Sequence, residues 1–251
     1  MANNILAKYG IKEVADVCFY DIETGKLELY LDTLKVSTIE QTAENVSARG
    51  GKGNPELIVW DYGKEITVTL EDALFSAKSM AILFGDGKTD TTVSKITRAV
   101  RLKAKASGTA GSAFDSQITL GKTTINFPTT ATFIDALTGE TVTSFTAGSD
   151  YIVNWDATPK DSTVITITGD SFPGTYKVIG DTYARSEATG QDEFFQFVIE
   201  KAKITAENTI TLEAEGDPTV FNLSLRVLRN SVGEMMKLIK YSLEEVTPSH
   251  N

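Results

Sequence analysis

The chain is short of the residues from which most catalytic and metal sites are built. Its 251 residues include one cysteine, Cys18, and one histidine, His250. A single thiol excludes an intrachain disulfide, and one thiol with one imidazole excludes zinc sites of the Cys/His kind. There is no Gly-x-Ser-x-Gly elbow, no His-Glu-x-x-His, and no nucleophile with a candidate base. Positive charge is also scarce: 24 Lys and Arg against 34 Asp and Glu leave a net charge of −10 and a pI of about 4.7. Phosphate contacts need clustered Lys and Arg, so this balance argues against a surface that wraps nucleic acid. No apolar run approaches the ~18 residues of a membrane span. Met1 to Gly10 lacks the basic start and apolar run of an export signal, so the expectation is synthesis in the cytoplasm without export and no membrane partner.

What is present reads as a folded, strand-rich protein, with 41% hydrophobic and 23% charged residues. Leu27 to Gly85 organises it. Val14 to Tyr20 and Leu27 to Asp32 alternate around Glu23-Thr24-Gly25 and predict a hairpin, with a phase slip at Thr33 that predicts a bulge or second turn. Cys18 reads as a small buried hydrophobe between Val17 and Phe19. Gln41 to Pro55 loses every apolar period and reads as a mobile loop of unusual length. Strands resume at Leu57 to Trp60 and Ile66 to Leu70, around a turn at Asp61 to Lys64. Leu70, Leu74, Ala77, Ala81 and Phe84 share one helical face, with Thr69 and Asp72 spaced as a capping box and Gly85 as the stop.

Further on, Val100, Leu102, Ala104 and Ala106 alternate with Arg101, Lys103 and Lys105, giving a strand with one apolar and one basic face. From Ser107 to Gly169 the composition turns to Thr, Ser and Gly with short strands at Ile118 to Leu120, Ile125 to Phe127, Tyr151 to Trp155 and Val164 to Thr168. This predicts an all-β domain at 107–169 inserted into a discontinuous domain of 1–106 and 170–251. Longer strands follow at Tyr176 to Ile179, Phe194 to Ile199, Thr209 to Glu215 and Val220 to Leu228. Met235 to Leu243 reads as a terminal strand, because Ile239, Tyr241 and Leu243 alternate; Met1 to Lys12 reads as a loosely attached arm. The fold class expected is mainly β: an antiparallel β-sandwich or barrel with one flanking α-helix and the inserted domain.

Candidate chemistry is thin. Gly85 to Asp90 lacks the spacing and distal Glu of a calcium loop, and Gly121-Lys122-Thr123 has Ser116 where a phosphate-binding loop needs glycine. Of the paired carboxylates, Glu71 with Asp72 complements a helix start and Asp192 with Glu193 lies in a turn. No catalytic residue, cofactor or metal ligand is assigned, and no enzyme is expected. A carbohydrate- or protein-binding β-sandwich finds support in Trp60, Trp155 and eight tyrosines, although aromatics in strands usually belong to cores.

Two stretches resemble the tail tube (major tail) proteins of long-tailed bacteriophages. One is Ser47-Ala48-Arg49-Gly50-Gly51-Lys52-Gly53-Asn54-Pro55-Glu56-Leu57 with the elements after it. The other runs from Phe172-Pro173-Gly174-Thr175-Tyr176 through Phe194-Phe195-Gln196-Phe197 to Ala214-Glu215-Gly216-Asp217-Pro218. The resemblance implies a β-sandwich flanked by a helix and hexameric rings stacked into a tube through which DNA passes transiently. It implies a place in the virion tail after assembly in the host cytoplasm, with sheath, tape measure or baseplate proteins as partners. The 107–169 block departs from that pattern and keeps a capsid or decoration protein as the alternative. On this reading the subunit interface is expected at Asn45, Arg49, Gly50, Gly51, Lys52 and Gly53, which order against the next subunit. It also brings Arg101, Lys103 and Lys105 to an acidic neighbour around Glu187, Asp192 and Glu193.

Overall fold

The computed structural model describes residues 7–205, 210 and 220–241. The chain divides into two compact units, residues 1–89 with 165–251, and residues 90–164. The larger unit begins with β1 (Tyr9–Ile11), β2 (Asp16–Asp21), β3 (Leu27–Leu31), β4 (Leu34–Arg49), β5 (Glu56–Asp72) and helix α1 (Ala77–Phe84). The smaller unit holds β6 (Ile96–Lys103), the single turn α2 (Ala110–Ala113), β7 (Gln117–Leu120), β8 (Thr123–Asn126), β9 (Thr132–Asp135) and β10 (Asp150–Ala157). The larger unit resumes with β11 (Thr175–Ser186), β12 (Asp192–Ile204), β13 (Phe221–Val227) and β14 (Lys237–Tyr241). Every pairing between these strands is antiparallel, as the mainly β expectation requires.

In the larger unit the strands follow the order β3-β2-β11-β12-β13-β5-β4, with β1 added to β11 and β14 to β12. Period-two alternation turns Val17, Phe19, Leu29, Leu31, Val68, Leu70, Val178, Ile199, Leu223 and Leu225 into one core. Strands β3 and β4 end opposite sides of that order, yet only Asp32 and Thr33 separate them in sequence. Three Cα steps span at most about 11 Å, so the sheet has to curl until its edges approach. The Ala73 N–H donates to the Thr33 carbonyl at 3.1 Å and ties that junction to the end of β5. Helix α1 inserts Ile82 and Leu83 into the same core.

The helix starts later than the sequence predicts. Leu70 belongs to β5 and is fully buried, while Leu74 is exposed. The period of two at Ile66, Val68 and Leu70 runs to within a turn of the helical positions, and Leu70 and Leu74 happen to continue the helical spacing backwards. The capping box is Ser76 with Ser79: the Ser79 N–H donates to Ser76 Oγ at 3.0 Å and the Ser76 N–H to Ser79 Oγ at 2.9 Å. Asp72 instead accepts from the Thr33 hydroxyl and, at 3.2 Å, from the Leu74 N–H. Gly85 stops the helix as expected, donating to the Ala81 carbonyl at 3.0 Å. Cys18 is half-buried on the face opposite Val17 and Phe19, and burial raises its thiol pKa. Part of the expected N-terminal arm is strand β1. Asp192 and Glu193 lie inside β12 rather than in a turn before it. The strand expected over Thr209 to Glu215, apart from residue 210, lies outside the described residues, as do Leu243 and His250.

The smaller unit has its own core. A sheet ordered β6-β10-β9 and the hairpin β7-β8 enclose Ile118, Phe133, Phe145, Tyr151, Val153 and Trp155. Phe114 stacks on Phe127 and Phe133 and meets Phe145 and Tyr151 edge-on. Backbone hydrogen bonds of 2.9 and 2.7 Å between Asp90 and Val164 clasp the two ends. The unit runs from 90 to 164, whereas the composition suggested 107–169. β6 precedes the change in composition but pairs with β10 from Ile96↔Ala157 to Lys103↔Asp150, so its partner fixes its membership. Of the strand expected at Val164 to Thr168, only Val164 makes a bridge. Phe145→Ala is expected to cost about 3 kcal/mol within this unit. Hydrogen exchange should show lost protection in β6, β9 and β10 with β2, β11 and β12 unchanged; loss in both sets would contradict separate cores.

Candidate self-association surface

Strands β4 and β5 pair along their full length, from Leu34↔Asp72 to Arg49↔Glu56. On its other side β5 pairs with β13 only over Thr67 to Asp72. Among the described residues nothing else pairs with the two strands beyond Ile66, and they leave the body as a ribbon. The stretch from Gln41 to Pro55, expected as a mobile loop, is strand as far as Arg49, and only residues 50–55 turn. The Gly50 N–H donates to the Pro55 carbonyl at 3.1 Å and the Asn54 N–H to the Gly51 carbonyl at 3.0 Å. Positive φ at Gly51 (84°) and Gly53 (90°) explains why glycine stands there. The turn expected at Asp61 to Lys64 is a bulge. Thr42 faces Glu65 while Glu44 faces Tyr62, so β5 carries one residue more, accommodated at Gly63 with φ 63°.

Along this arm the large apolar side chains have no cover. Leu57, Ile58, Val59, Trp60 and Tyr62 keep 51–63% of their surface exposed, and Val46 opposite keeps 53%. Consecutive residues of a strand point to opposite faces, so both faces of the ribbon are apolar and bare. Scattered exposed hydrophobics are ordinary, but a contiguous set marks an interaction surface. The expected interface residues all lie on this arm, Arg49, Gly50, Gly51, Lys52 and Gly53 at its outer end and Asn45 midway along it, opposite Asp61. Sequence reasoning missed Val46, Leu57, Ile58, Val59, Trp60 and Tyr62 as surface. The available signal was four consecutive apolar residues, Leu57 to Trp60, beside a partner strand with almost none.

The other expected interface charges already have partners within the chain. Arg101 and Lys103 both reach Asp150 at 3.1 Å, and Lys105 reaches Asp115 at 2.5 Å. Glu187 pairs with Lys8 at 4.0 Å and Glu193 with Lys240 at 2.5 Å. Arg185 donates two hydrogen bonds to Asp192, of 2.7 and 2.8 Å, beside an open groove of about 520 Å³ that Tyr183 and Phe194 also line. Those hydrogen bonds hold the Asp192 carboxyl below its ordinary pKa, as those from Lys103 and Arg101 do for Asp150. A depressed carboxylate contributes above its unfolded pKa, and the contribution disappears as pH falls through the folded one. Exposed pairs of this kind contribute little singly.

Among the described residues no group of three or more His, Cys, Asp or Glu side chains is placed to hold a metal ion. None of the described helices is long and apolar enough to cross a membrane. Of the carboxylates that sequence reasoning weighed, Asp72 is held in the β3–β4 junction, Asp192 on Arg185 and Glu193 on Lys240, while Glu71 lies within β5 rather than at a helix start. Residues 9–238 match the model of the YomU/Tube protein family. The chain belongs to that family. The match spans both units and the arm, and agrees with the phage tail tube resemblance carried by Ser47 to Leu57 and by Phe172 to Phe197. As a YomU/Tube protein the chain is a structural component of a phage tail. No curated protein matches it.

Proposed function

We propose that this YomU/Tube protein acts by self-association, without catalysis: copies close into rings, six to a ring, and the rings stack into the tube through which the genome passes. The observation that carries the reading is the bare arm, because an isolated two-stranded ribbon is marginal in water and gains most from a partner surface. Sheet edges supply the ring contact. Strands β1, β11, β12 and β14 form a four-stranded patch, and among the described residues β1 pairs only with β11 and β14 only with β12. Since every step across that patch is antiparallel, β14 of one copy meets β1 of the next in antiparallel sense, and a head-to-tail contact of this kind closes into a ring. Charge supports passage of DNA without retention. Residues 90–164 contain seven basic and seven acidic side chains, so the whole net charge of −10 lies in the larger unit. Sheath, tape measure and baseplate proteins are the further partners of such a tube.

The test is the concentration dependence of assembly. Sedimentation velocity and negative-stain microscopy should show monomer giving way to rings and tubes as concentration rises. A chain that stays monomeric at high concentration, and hydrolyses a sugar or ester in a manner abolished by one carboxylate substitution, would overturn the structural role.

A further inference from the structure

The arm divides its apolar side chains between two faces. Pairing places Val46 beside Trp60 and Ala48 beside Ile58, and by alternation Tyr62 shares that face. The opposite face carries Val59 beside Ser47, with Leu57 and Arg49 towards the tip. Val46, Ile58, Trp60 and Tyr62 on the first face, and Leu57 and Val59 on the second, are all more than half exposed. No part of the chain's described residues backs either face.

From the self-association reading above we infer that each arm is held by two other copies at once, one against each face. A partner on one side only would leave the other apolar face in water, and the ribbon is one layer thick. Size points the same way. With Trp60 and Tyr62 each about half exposed beside Val46 and Ile58, the first face offers on the order of 400 Å² of accessible surface, and the second, with Leu57 and Val59, less. A stable contact buries about 800 Å² per partner. One face is too small to hold one neighbour, and the two faces together still need the remaining contacts of a ring. The occupant is a second copy because the tip is basic on an acidic chain. Among the described residues Arg49 has one ion pair, with Glu56 at 3.7 Å, beside a 3.4 Å hydrogen bond to Ser47 Oγ, and Lys52 has no ion pair, while the larger unit carries the net charge of −10. Arm docking is therefore cooperative: it waits until two receiving copies are in place.

Two full-length variants separate the faces while keeping β-favouring residues: Val46→Thr with Trp60→Thr, and Leu57→Thr with Val59→Thr. Circular dichroism checks the fold, and sedimentation gives the concentration at which half the protein is assembled. Each variant is expected to raise that concentration at least tenfold, and the wild type should assemble with a lag that shortens steeply with concentration. If one variant assembles like the wild type while the other fails, the arm is held on one face only and this inference is wrong although self-association stands. A wild type that never assembles, or variants that both assemble normally, overturns the self-association reading or the arm's part in it, and this inference with it.

Discussion

Replacing residues 45–61 with Asn-Gly should leave a folded monomer that no longer forms tubes. Glu44 and Tyr62 face each other across the ribbon, and Asn-Gly is the two-residue link most compatible with a tight hairpin. No residue from Asn45 to Asp61 is buried, so the body loses no core contact. The remaining pairs, from Leu34↔Asp72 to Thr42↔Glu65, continue to tie β4 to the sheet. Stability should change by less than about 1 kcal/mol, as for surface substitutions away from special features. Assembly should fall below detection even at high protein concentration, because both apolar faces are removed together. Thermal unfolding and sedimentation on the same preparation check both halves. Normal tubes from the shortened chain would show that the arm is dispensable.

Gly180→Ala should destabilise the larger unit by about 3 kcal/mol, at the upper end of what overpacking costs. Gly180 faces Phe197 across β11 and β12, and a Cβ at Gly180 would come within 2.1–2.8 Å of Cζ, Cε1 and Cε2 of the Phe197 ring. Both residues belong to paired strands, and Phe197 is 5% exposed, so neither backbone nor ring has room to withdraw. For a unit of this size the midpoint of thermal unfolding should drop by roughly 6–12 °C. A second substitution, Phe197→Leu, should be less harmful in the alanine background than alone, since the two changes compensate in volume. Additive losses in that double-mutant cycle would mean that the ring contact is not the cause.

Gly180 also shows where a sequence stops being informative. A glycine inside a strand signals a bulge or a close approach, but the approaching group lies seventeen residues away and is named only once β11 and β12 pair. The arm is a stronger case. Residues 41–49 have no apolar alternation because neither face of β4 is buried there, and alternation is the main signal of a half-buried strand in a single sequence. Its conformation comes from hydrogen bonding to β5, a partner whose own apolar run reads as an ordinary buried strand. In the same way β6 belongs to the smaller unit through β10, some fifty residues later, which no change in composition at Ser107 can report.

The sequence by itself determined the mainly β class, the alternating core strands at Leu27 to Leu31 and Ile66 to Leu70, the helix stop at Gly85, and the lack of Cys/His chemistry. It also carried the local wording of the tube family at Ser47 to Leu57. These are legible because they depend on near neighbours: alternation, capping and turn chemistry act over a few residues. Tertiary structure alone decided that Gln41 to Arg49 is strand, that Leu57 to Tyr62 is surface, and that Ser76 rather than Thr69 caps the helix. It decided as well that Arg101 and Lys103 of β6 are answered by Asp150, and Lys105 just beyond the strand by Asp115. Except at the cap, where it is the pairing of Leu70 with β13 that keeps the helix from starting earlier, the deciding group is remote in sequence or absent altogether, and burial, unlike hydrophobicity, is a property of what stands opposite.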